Sequence, residues 1–274
     1  MPELPEVENM VLALQACQHQ KIEKVYSSYK KLRKPIQSNL TELLENCTIT
    51  SIFRKAKYLI FNLSNNYSII AHAGMSGKFL LTTPAKNQIE KHDHIILYLS
   101  NNTLVRYNDP RRFGLFYVTP TNTLEEIFFQ NTGIDALSNE FNSSYLQNKL
   151  HKISNNIKNT LLNQKIVAGI GNIYASEALF YSKINPTTVA NSLNSKQLDI
   201  LITNIKKVLE KSIKLGGSTL KDYKTPQGES GNFQNHFAVY GREKQACYTK
   251  GCHNLIIKIT QNGRSTYYCP HCQQ

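Results

Sequence analysis

Tyr58-Leu59-Ile60-Phe61 and Tyr67-Ser68-Ile69-Ile70 are two short segments rich in aromatic and β-branched residues, and the polar Ser64-Asn65-Asn66 lies between them. Such residues favour strands, and a short polar spacer favours a turn. Similar segments lie at 48–53, 94–98 and 103–107. Several short strands at this interval predict a β-sandwich or a β-barrel.

Helical patterns lie on both sides of this β-rich region. Apolar residues at steps of three and four predict a short amphipathic helix over residues 3–16 and a longer helix over 198–213. Gly216-Gly217 follows the longer helix, as glycine often does at a helix C-terminus. Another helix is expected over 172–180. Residues 218–235 are rich in Gly, Ser, Pro, Gln and Asn, which predicts a mobile loop.

Composition narrows the classes of protein that fit. The chain has 274 residues, enough for two domains, and carries 32 Lys and Arg against 19 Asp and Glu, a net charge of +13. This excess indicates a polyanionic partner, usually nucleic acid, with a merely basic cytosolic protein as the alternative. No run of about 18 apolar residues is present, so no membrane span is expected. No secretory signal is expected either, since a basic region followed by an apolar stretch is missing from the N-terminus.

The cysteines predict a metal site near the C-terminus. Four of the six form this cluster: Cys247, Cys252, Cys269 and Cys272. Without an export signal, two such pairs fit a closed tetrahedral thiolate site, so we predict one structural Zn²⁺. The segment between the pairs predicts a β-hairpin that turns at Asn262-Gly263. Arg264 follows this turn, where it is either a phosphate contact or a solvated arginine. Cys17 and Cys47 are isolated, and we expect them to be buried.

Three further segments have the composition of phosphate or DNA contacts. Gly169-Ile170-Gly171-Asn172 leads into a predicted helix, whose N-terminus attracts anions, and Lys158 lies upstream. Asp109-Pro110-Arg111-Arg112-Phe113-Gly114 is expected on a turn between strands. An arginine that bonds a base edge beside an aromatic wedge suits insertion into a duplex, but surface arginines around a buried Phe are the alternative. Gly74-Met75-Ser76-Gly77 is a second tip that presents an apolar side chain.

Lys55 and Lys57 belong to a basic stretch, and alternation along a strand predicts that they point to the same face.

Met1-Pro2-Glu3 is the N-terminal sequence, and removal of Met1 leaves Pro2 with a free secondary amine. An α-amine has a pKa near about 8, so part of it is neutral and nucleophilic at cellular pH. Amines form Schiff bases with carbonyl carbons, and a proline iminium keeps its positive charge. Glu3 places a carboxyl group beside the amine, where it can transfer protons. Taken alone, Pro2 also fits a residue that merely opens a helix.

Together, and in this order, these segments resemble the bacterial formamidopyrimidine-DNA glycosylase family. The matching stretches are residues 1–8, 55–59, 74–77, 91–94, 107–114, 167–180, 216–220, 239–243 and 263–272. The resemblance implies an α+β fold of two domains, an N-terminal β-sandwich with an N-terminal helix and a C-terminal helical domain with a helix–two-turn–helix element and a β-hairpin zinc ribbon. The expected segments are the catalytic β-sandwich domain (1–131), a linker (132–150), the helical domain with a lesion-capping loop (151–239) and the zinc ribbon (240–274).

The resemblance implies a bifunctional DNA glycosylase and AP lyase of base excision repair. It excises oxidised purines, chiefly 8-oxoguanine and formamidopyrimidines, from duplex DNA and then cleaves the strand by β- and δ-elimination. By position, Pro2 is the nucleophile on the sugar C1′ and Glu3 the neighbouring proton-transfer group. Lys57 is assigned to β-elimination and Arg264 to δ-elimination.

The resemblance also implies DNA contacts. Met75, Arg111 and Phe113 match the residues that fill the gap left by an extruded nucleotide. The other candidates for DNA contact are His92, Lys152, Lys158 and Asn172. We expect a monomer that binds damaged double-stranded DNA in the bacterial cytoplasm, at the nucleoid, without a membrane association.

Two departures from the family pattern bear on this assignment. The first cysteine pair is spaced by four residues where the commoner pattern has two, which we expect to alter the local geometry and not the metal. The related endonuclease VIII shares the N-terminal proline, the helical element and the ribbon but prefers oxidised pyrimidines. Leu4 and the 109–114 turn favour the purine enzyme. A non-enzymatic protein that binds damaged DNA is a third alternative, against which the intact catalytic candidates argue.

Overall fold

The computed structural model describes residues 1–83, 88–219, 225–226 and 228–274. The chain divides into two compact units. The first comprises Met1–Gln130 and Leu215–Asn232, and the second comprises Asn131–Lys214 and Phe233–Gln274. The structural division therefore groups 215–232 with the N-terminal residues, whereas the sequence places these residues in the helical domain.

The first unit contains two four-stranded antiparallel sheets. Their strands are β1 (Ile22–Ser27), β2 (Ile49–Lys55), β3 (Tyr58–Leu63), β4 (Tyr67–His72), β5 (Lys78–Thr82), β6 (Asp93–Leu99), β7 (Leu104–Asn108) and β8 (Leu115–Pro120). One sheet has the strand order β1-β6-β7-β5 and the other β2-β3-β4-β8. Apolar side chains of both sheets, such as Phe61 and Phe79, meet in one core, which confirms the predicted β-sandwich.

Helix α1 (Leu4–Leu14) packs on this core, and a second, short helix, α2 (Leu40–Leu44), follows β1. Val7, Met10 and Leu14 recur at helical spacing and are buried in the sandwich core, which confirms the predicted amphipathic helix. Glu3 is the N-cap residue and Pro5 lies in the first turn, where a missing N–H is tolerated. Pro5 therefore fills the helix-opening position, and Pro2 lies outside the helix.

The second unit is helical around two short parallel strands. Its elements are β9 (Ile134–Asp135), α3 (Ser143–Leu150), α4 (Ile157–Leu161), β10 (Val167–Ala168), α5 (Asn172–Tyr181) and α6 (Ser195–Lys214). The Tyr174 and Ser212 hydroxyls are 2.6 Å apart and join α5 to α6. Helix α3 occupies part of the predicted linker, so that segment is not an extended connection. Among the residues with described positions, no helix is both long and apolar enough to cross a membrane.

The C-terminal part of the second unit contains the predicted hairpin, with strands β11 (Ile257–Gln261) and β12 (Arg264–Tyr268). The two turn residues have positive φ, 47° at Asn262 and 72° at Gly263, as a type I′ turn requires. Gln261 pairs with Arg264 across the turn, so Arg264 is the first residue of the returning strand. The predicted mobile loop at 218–235 lies partly outside the described residues, at 220–224 and 227.

Candidate active site and nucleic-acid interface

The N-terminal segment is held by a buried carboxylate. Pro2 is buried, and Glu3 and Glu6 are 4% and 2% exposed. The Glu3 N–H donates to Glu6 Oε2 at 2.8 Å, and the Glu3 side chain accepts from the Glu6 N–H, which completes a capping box. Glu6 Oε1 also accepts the N–H of Ser218 at 2.7 Å. Glu6 therefore links the residues behind Pro2 to the start of the loop that follows Gly217.

Lys57 lies in a two-residue turn between β2 and β3. Lys55 pairs with Tyr58 across this turn, and Ala56 has a φ of 55°. The turn interrupts the alternation of the strand, so the prediction that Lys55 and Lys57 share a face is wrong. Lys57 is only 6% exposed, while Lys55 forms an ion pair with Glu125.

His72, at the end of β4, marks the point where several cations converge. Burial, as the largest cause, and the positive charges of Arg33, Lys57 and the N-terminal amine together lower the pKa of His72 to about 3. His72 Nδ1 accepts the N–H of Gly74 at 2.8 Å, which orients the neutral ring. Arg33, Lys57 and the N-terminal amine lie close enough to His72 to act on its pKa, so three positive groups surround this position. The sequence analysis missed His72, whose role depends on neighbours far along the chain.

The two predicted insertion tips lie beside the N-terminus. Met75 and Phe113 are 43% and 50% exposed, and the Arg111 guanidinium stacks 4.9 Å from the centre of the Phe113 ring. A groove of about 470 Å³ is lined by Met1, Leu32, Arg33, Gly74, Met75, Arg112 and Phe113. Phe113 is exposed, so the alternative of a turn with a buried Phe does not hold. The Arg33 Nε donates to the Phe113 carbonyl at 3.1 Å and so fixes the backbone of this tip.

His92 borders the same turn. The side chain is half-buried, and its carbonyl accepts the Asp109 N–H at 3.0 Å. His92 therefore lies directly beside the segment that carries Arg111. In the first unit, Met1, Met75 and the 109–114 turn therefore line one groove, and His92 borders that turn.

In the second unit, Asn172 and Lys158 meet at β12. Asn172 Nδ2 donates to the Ser265 carbonyl at 2.9 Å, and Lys158 Nζ donates to the same oxygen at 3.2 Å and to the Thr266 hydroxyl at 2.6 Å. Lys158 is fully buried. The prediction that Lys158 contacts DNA directly is therefore wrong, because its ammonium group binds the strand that starts with Arg264.

Asn172 begins helix α5 after Gly171, as predicted for an anion site. Its buried Oδ1 has no hydrogen-bond partner among the described residues. Because this oxygen only accepts hydrogen bonds, it suits a donor such as water and not a phosphate oxygen. Arg264 and Lys152 are both exposed, Arg264 at the start of β12 and Lys152 after α3.

The four clustered cysteines have the geometry of a zinc site. Their Sγ atoms all lie within 4.8 Å of one another, with 3.8 Å between Cys247 and Cys272 and 3.7 Å between Cys252 and Cys269. Zn–S bonds of about 2.3 Å in a tetrahedron give an S–S distance of about 3.8 Å. The donor set therefore fits one closed, structural Zn²⁺, as predicted. The four-residue spacer is accommodated by a turn in which Gly251 has a φ of 78° and the Cys252 N–H bonds the Thr249 carbonyl.

Glu177 anchors the start of the ribbon and was not predicted. This fully buried carboxylate on α5 accepts three backbone N–H bonds, from Ala238 at 2.7 Å, Val239 at 3.0 Å and Tyr240 at 2.8 Å. Burial raises its pKa, while the three N–H groups and Arg242 act in the opposite direction. The only sequence signal for this role is that a charged glutamate stands among the apolar residues of α5.

Known proteins match the chain along its length. The formamidopyrimidine-DNA glycosylase N-terminal domain matches residues 1–116, its H2TH domain matches 132–224, and a zinc finger found in FPG and IleRS matches 252–274. The formamidopyrimidine-DNA glycosylase of Wolbachia pipientis subsp. Culex pipiens is 45% identical over 275 residues, with 100% of both chains covered.

Two crystal structures of the Lactococcus lactis FPG protein are similar to this chain over 100% of both chains, at 35% sequence identity. One is a mutant in complex with a Fapy-dG containing DNA, with a TM-score of 0.90. The other is the wild type with an oxidised pyrimidine containing DNA, with a TM-score of 0.89. The Wolbachia relative is 45% identical over its full length, and the predicted sandwich, hairpin and thiolate site are all present. The chain therefore belongs to the formamidopyrimidine-DNA glycosylase family.

Proposed function

We propose that the protein is a base excision repair enzyme, a DNA glycosylase and AP lyase that excises oxidised purines such as 8-oxoguanine and formamidopyrimidines from duplex DNA. One observation carries this proposal. The N-terminal residue shares a groove with the exposed tips Met75 and Phe113, so a nucleophilic amine lies where an inserted wedge meets the DNA. The full-length relatives and the similar DNA complexes support the same activity.

Pro2 is the nucleophile in this proposal. Once Met1 is removed, its neutral amine attacks the sugar C1′, the bond from C1′ to the base nitrogen breaks, and the base leaves with a proton. The buried carboxyl of Glu3 transfers protons at this step. The proline nitrogen then loses its proton, and the C1′–O4′ bond opens with protonation of O4′, which leaves a C1′=N iminium. This iminium cannot lose its charge by deprotonation, because its nitrogen carries no hydrogen. It therefore withdraws electrons from C2′ and acidifies the proton there.

Strand cleavage follows by two eliminations. Loss of the C2′ proton breaks the C3′–O bond and releases the 3′ phosphate, and loss of the C4′ proton breaks the C5′–O bond and releases the 5′ phosphate. Lys57 is assigned to the first elimination, and its burial in the turn next to β3 supports a fixed position. Arg264 is assigned to the second and holds a phosphate at the start of β12.

Access to the damaged base requires its extrusion from the duplex. Unstacking a base costs a few kcal/mol, and side chains that fill the gap offset part of this cost. Met75 and Phe113 supply apolar surface, and Arg111, stacked on Phe113, can bond the unpaired base on the opposite strand. His92, Lys152 and Asn172 are proposed backbone contacts, and the net charge of +13 favours the complex as a whole.

The zinc ion has a structural role in this scheme. All four coordination positions are filled by Cys247, Cys252, Cys269 and Cys272, and the metal fixes the hairpin that carries Arg264. We also propose that the enzyme acts as a monomer in the bacterial cytoplasm, at the nucleoid, because all of the assigned catalytic residues lie on a single chain.

Borohydride trapping tests the proposal. A duplex with one 8-oxoguanine opposite cytosine is incubated with the protein and sodium borohydride, and the crosslinked peptide is mapped by mass spectrometry. We expect a crosslink at Pro2 and its loss in Pro2→Gly. Lesion binding without any crosslink would instead support a non-enzymatic protein, and a crosslink at a lysine would overturn the N-terminal mechanism.

Oxidised pyrimidines are the second candidate substrates. The observation that favours them is the similar crystal structure of the Lactococcus lactis protein with an oxidised pyrimidine containing DNA. Excision rates on a panel of duplexes decide between the two. Faster release of oxidised thymine than of 8-oxoguanine opposite cytosine would favour an endonuclease VIII-like activity over the proposed one.

A further inference from the structure

Asp109 is a fully buried carboxylate that touches both insertion tips. Its Oδ1 accepts the Ser76 hydroxyl at 2.6 Å, and its Oδ2 accepts the N–H of Gly114 at 2.8 Å. Ser76 follows Met75 in the first tip, and Gly114 follows Phe113 in the second. One carboxylate therefore joins two turns that lie more than 30 residues apart in the sequence.

Ser76 closes this network from the other side. Its oxygen accepts the N–H of Arg111 at 3.1 Å while its hydrogen is donated to Asp109. The second tip is thus held at both ends, at Arg111 by Ser76 and at Gly114 by Asp109. Each bond uses a different donor and acceptor, so the network is complete without an additional group.

Backbone contacts around Asp109 and Gly74 also hold the two tips together. The Asp109 carbonyl accepts from Arg112 N–H at 3.2 Å and lies 3.0 Å from His94 Nε2. Gly74 has a φ of 62°, and a Cβ there would lie 2.6 Å from the Gly114 nitrogen. The two tips are therefore in direct backbone contact as well as hydrogen-bonded.

We propose that Asp109 is a positioning residue which, through Ser76, holds the two tips as one rigid wedge, so that Met75, Arg111 and Phe113 enter the duplex together. This inference rests on the proposed function. Two independent tips would each have to be ordered at the moment of insertion, whereas a preformed wedge pays this ordering cost during folding. A carboxylate suits the position because both of its oxygens accept, while an amide offers a single acceptor.

Four single variants and the double variant Ser76→Ala/Asp109→Asn test this role. Ser76→Ala removes the hydroxyl that bonds both the Asp109 carboxylate and the Arg111 N–H. Asp109→Asn replaces one acceptor by a donor, and Ser76→Thr keeps the hydroxyl. Ser68→Ala is the matched control, since Ser68 is also buried and its hydroxyl donates to Asn62 at 2.7 Å, outside the tips.

Two reactions are compared for each variant. The first is single-turnover excision of 8-oxoguanine from a duplex, which needs the wedge. The second is borohydride trapping on a single-stranded abasic oligonucleotide, which has no opposite strand to open. A 2-aminopurine placed opposite the lesion reports on the opening of the base stack.

Ser76→Ala and Asp109→Asn should slow duplex excision by about tenfold and reduce the 2-aminopurine signal, because each leaves a buried group unpaired. Trapping on the single strand should stay within about twofold of the native value, and Ser76→Thr should restore excision. The double variant should be little slower than either single variant, since both break one network. Ser68→Ala should change neither reaction.

Native excision rates in both Ser76→Ala and Asp109→Asn would overturn the inference. A parallel fall of excision, trapping and thermal midpoint would also overturn it, because that pattern indicates a general loss of structure. If the unmodified protein neither excises nor traps, the proposed function itself fails, and this outcome is recognised before any variant is made.

Discussion

The ammonium group of Lys158 donates a hydrogen bond at 2.6 Å to the hydroxyl of Thr266, 108 residues further along the chain. Thr266 in turn donates to Gln261 at 2.8 Å, on the other strand of the hairpin. The helix that carries Lys158 therefore fixes the hairpin from which Arg264 extends. The buried ammonium group thus contacts the strand that carries Arg264.

Replacement of Lys158 by methionine should separate these two roles. Lys158→Met keeps the side-chain length but leaves the Ser265 carbonyl and the Thr266 hydroxyl without this donor, so we expect about tenfold weaker binding of abasic-site DNA. The slope of affinity against salt should stay unchanged, because no phosphate contact is lost. Lys206→Met, a partly buried lysine that bonds the Ser138 carbonyl, is the control for lost charge. A shallower salt slope in Lys158→Met would show a direct phosphate contact instead.

Replacement of Glu6 by glutamine should destabilise the protein. Both of its oxygens accept backbone N–H groups, from Glu3 and from Ser218, and glutamine presents a donor to one of them. We expect Glu6→Gln to lower the free energy of unfolding by about 1–3 kcal/mol and to slow trapping at Pro2. Urea unfolding and borohydride trapping provide the measurements, with the exposed Glu42→Gln as control. Equal stability and equal trapping in the two variants would contradict this account.

The titration of His72 should make the protein sensitive to mild acid. Its pKa is about 3 in the folded state, against 6.5 for an unperturbed histidine, so only the unfolded chain binds this proton between those values. The contribution of His72 to stability is fully present above about pH 6.5 and is lost progressively as the pH falls towards 3. At pH 5 the loss amounts to about 2 kcal/mol.

Chemical unfolding at several pH values checks this. The slope of the unfolding free energy between pH 7 and 5 should be flatter in His72→Gln, whereas Ser68→Ala, which removes no titratable group, should keep the native slope. If His72→Gln and the native protein have the same slope, the imidazole is not held neutral in the folded state.

Removal of zinc should release Arg264 from its fixed position. Cysteine ribbons of this kind fold with their metal, so chelation should expose four thiols and abolish tight DNA binding. Cys17 and Cys47 are both buried, and burial raises the pKa of Cys17 to about 11, so these two should stay unreactive. Thiol titration with metal analysis measures the exposed cysteines. DNA binding that survives verified metal loss would refute this dependence.

Binding should also weaken steeply with salt. Several Lys and Arg contacts to phosphate release counterions, so affinity should fall by orders of magnitude between low and moderate salt. Fluorescence anisotropy with a labelled abasic-site duplex measures the slope, and Arg264→Ala should reduce it by about one. A flat salt dependence would contradict the phosphate contacts assigned to Arg264 and Lys152.

Local pattern was enough to predict much of this fold. All five predicted strand segments overlap β2, β3, β4, β6 and β7 to within one residue at their starts, and the hairpin turn, α1, α5 and α6 also follow the predictions. Strands β1, β5 and β8 were missed. In β1 the charged Glu23 and Lys24 are adjacent and exposed, so this strand has no clear alternation.

The residues that sequence reasoning missed depend on partners far along the chain. Glu6 bonds a residue 212 positions away, and Glu177 bonds residues 61 to 63 positions away. Lys158 was misassigned for the same reason, since a lysine that is buried by tertiary contacts has the same sequence signal as a solvated one. Patterns of local spacing carry no information about such pairs.

The two ends of the zinc ribbon differ in how they tolerate insertions. Side chains alternate along a strand, so an added residue that shifted the register of β12 by one position would reverse the face on which Arg264 emerges. The Cys247–Cys252 turn, by contrast, holds four intervening residues and still brings its sulfurs to tetrahedral spacing. The thiolate geometry is therefore kept with the longer spacer. A relative with an odd-numbered insertion at the tip should excise bases yet fail to complete the second strand scission.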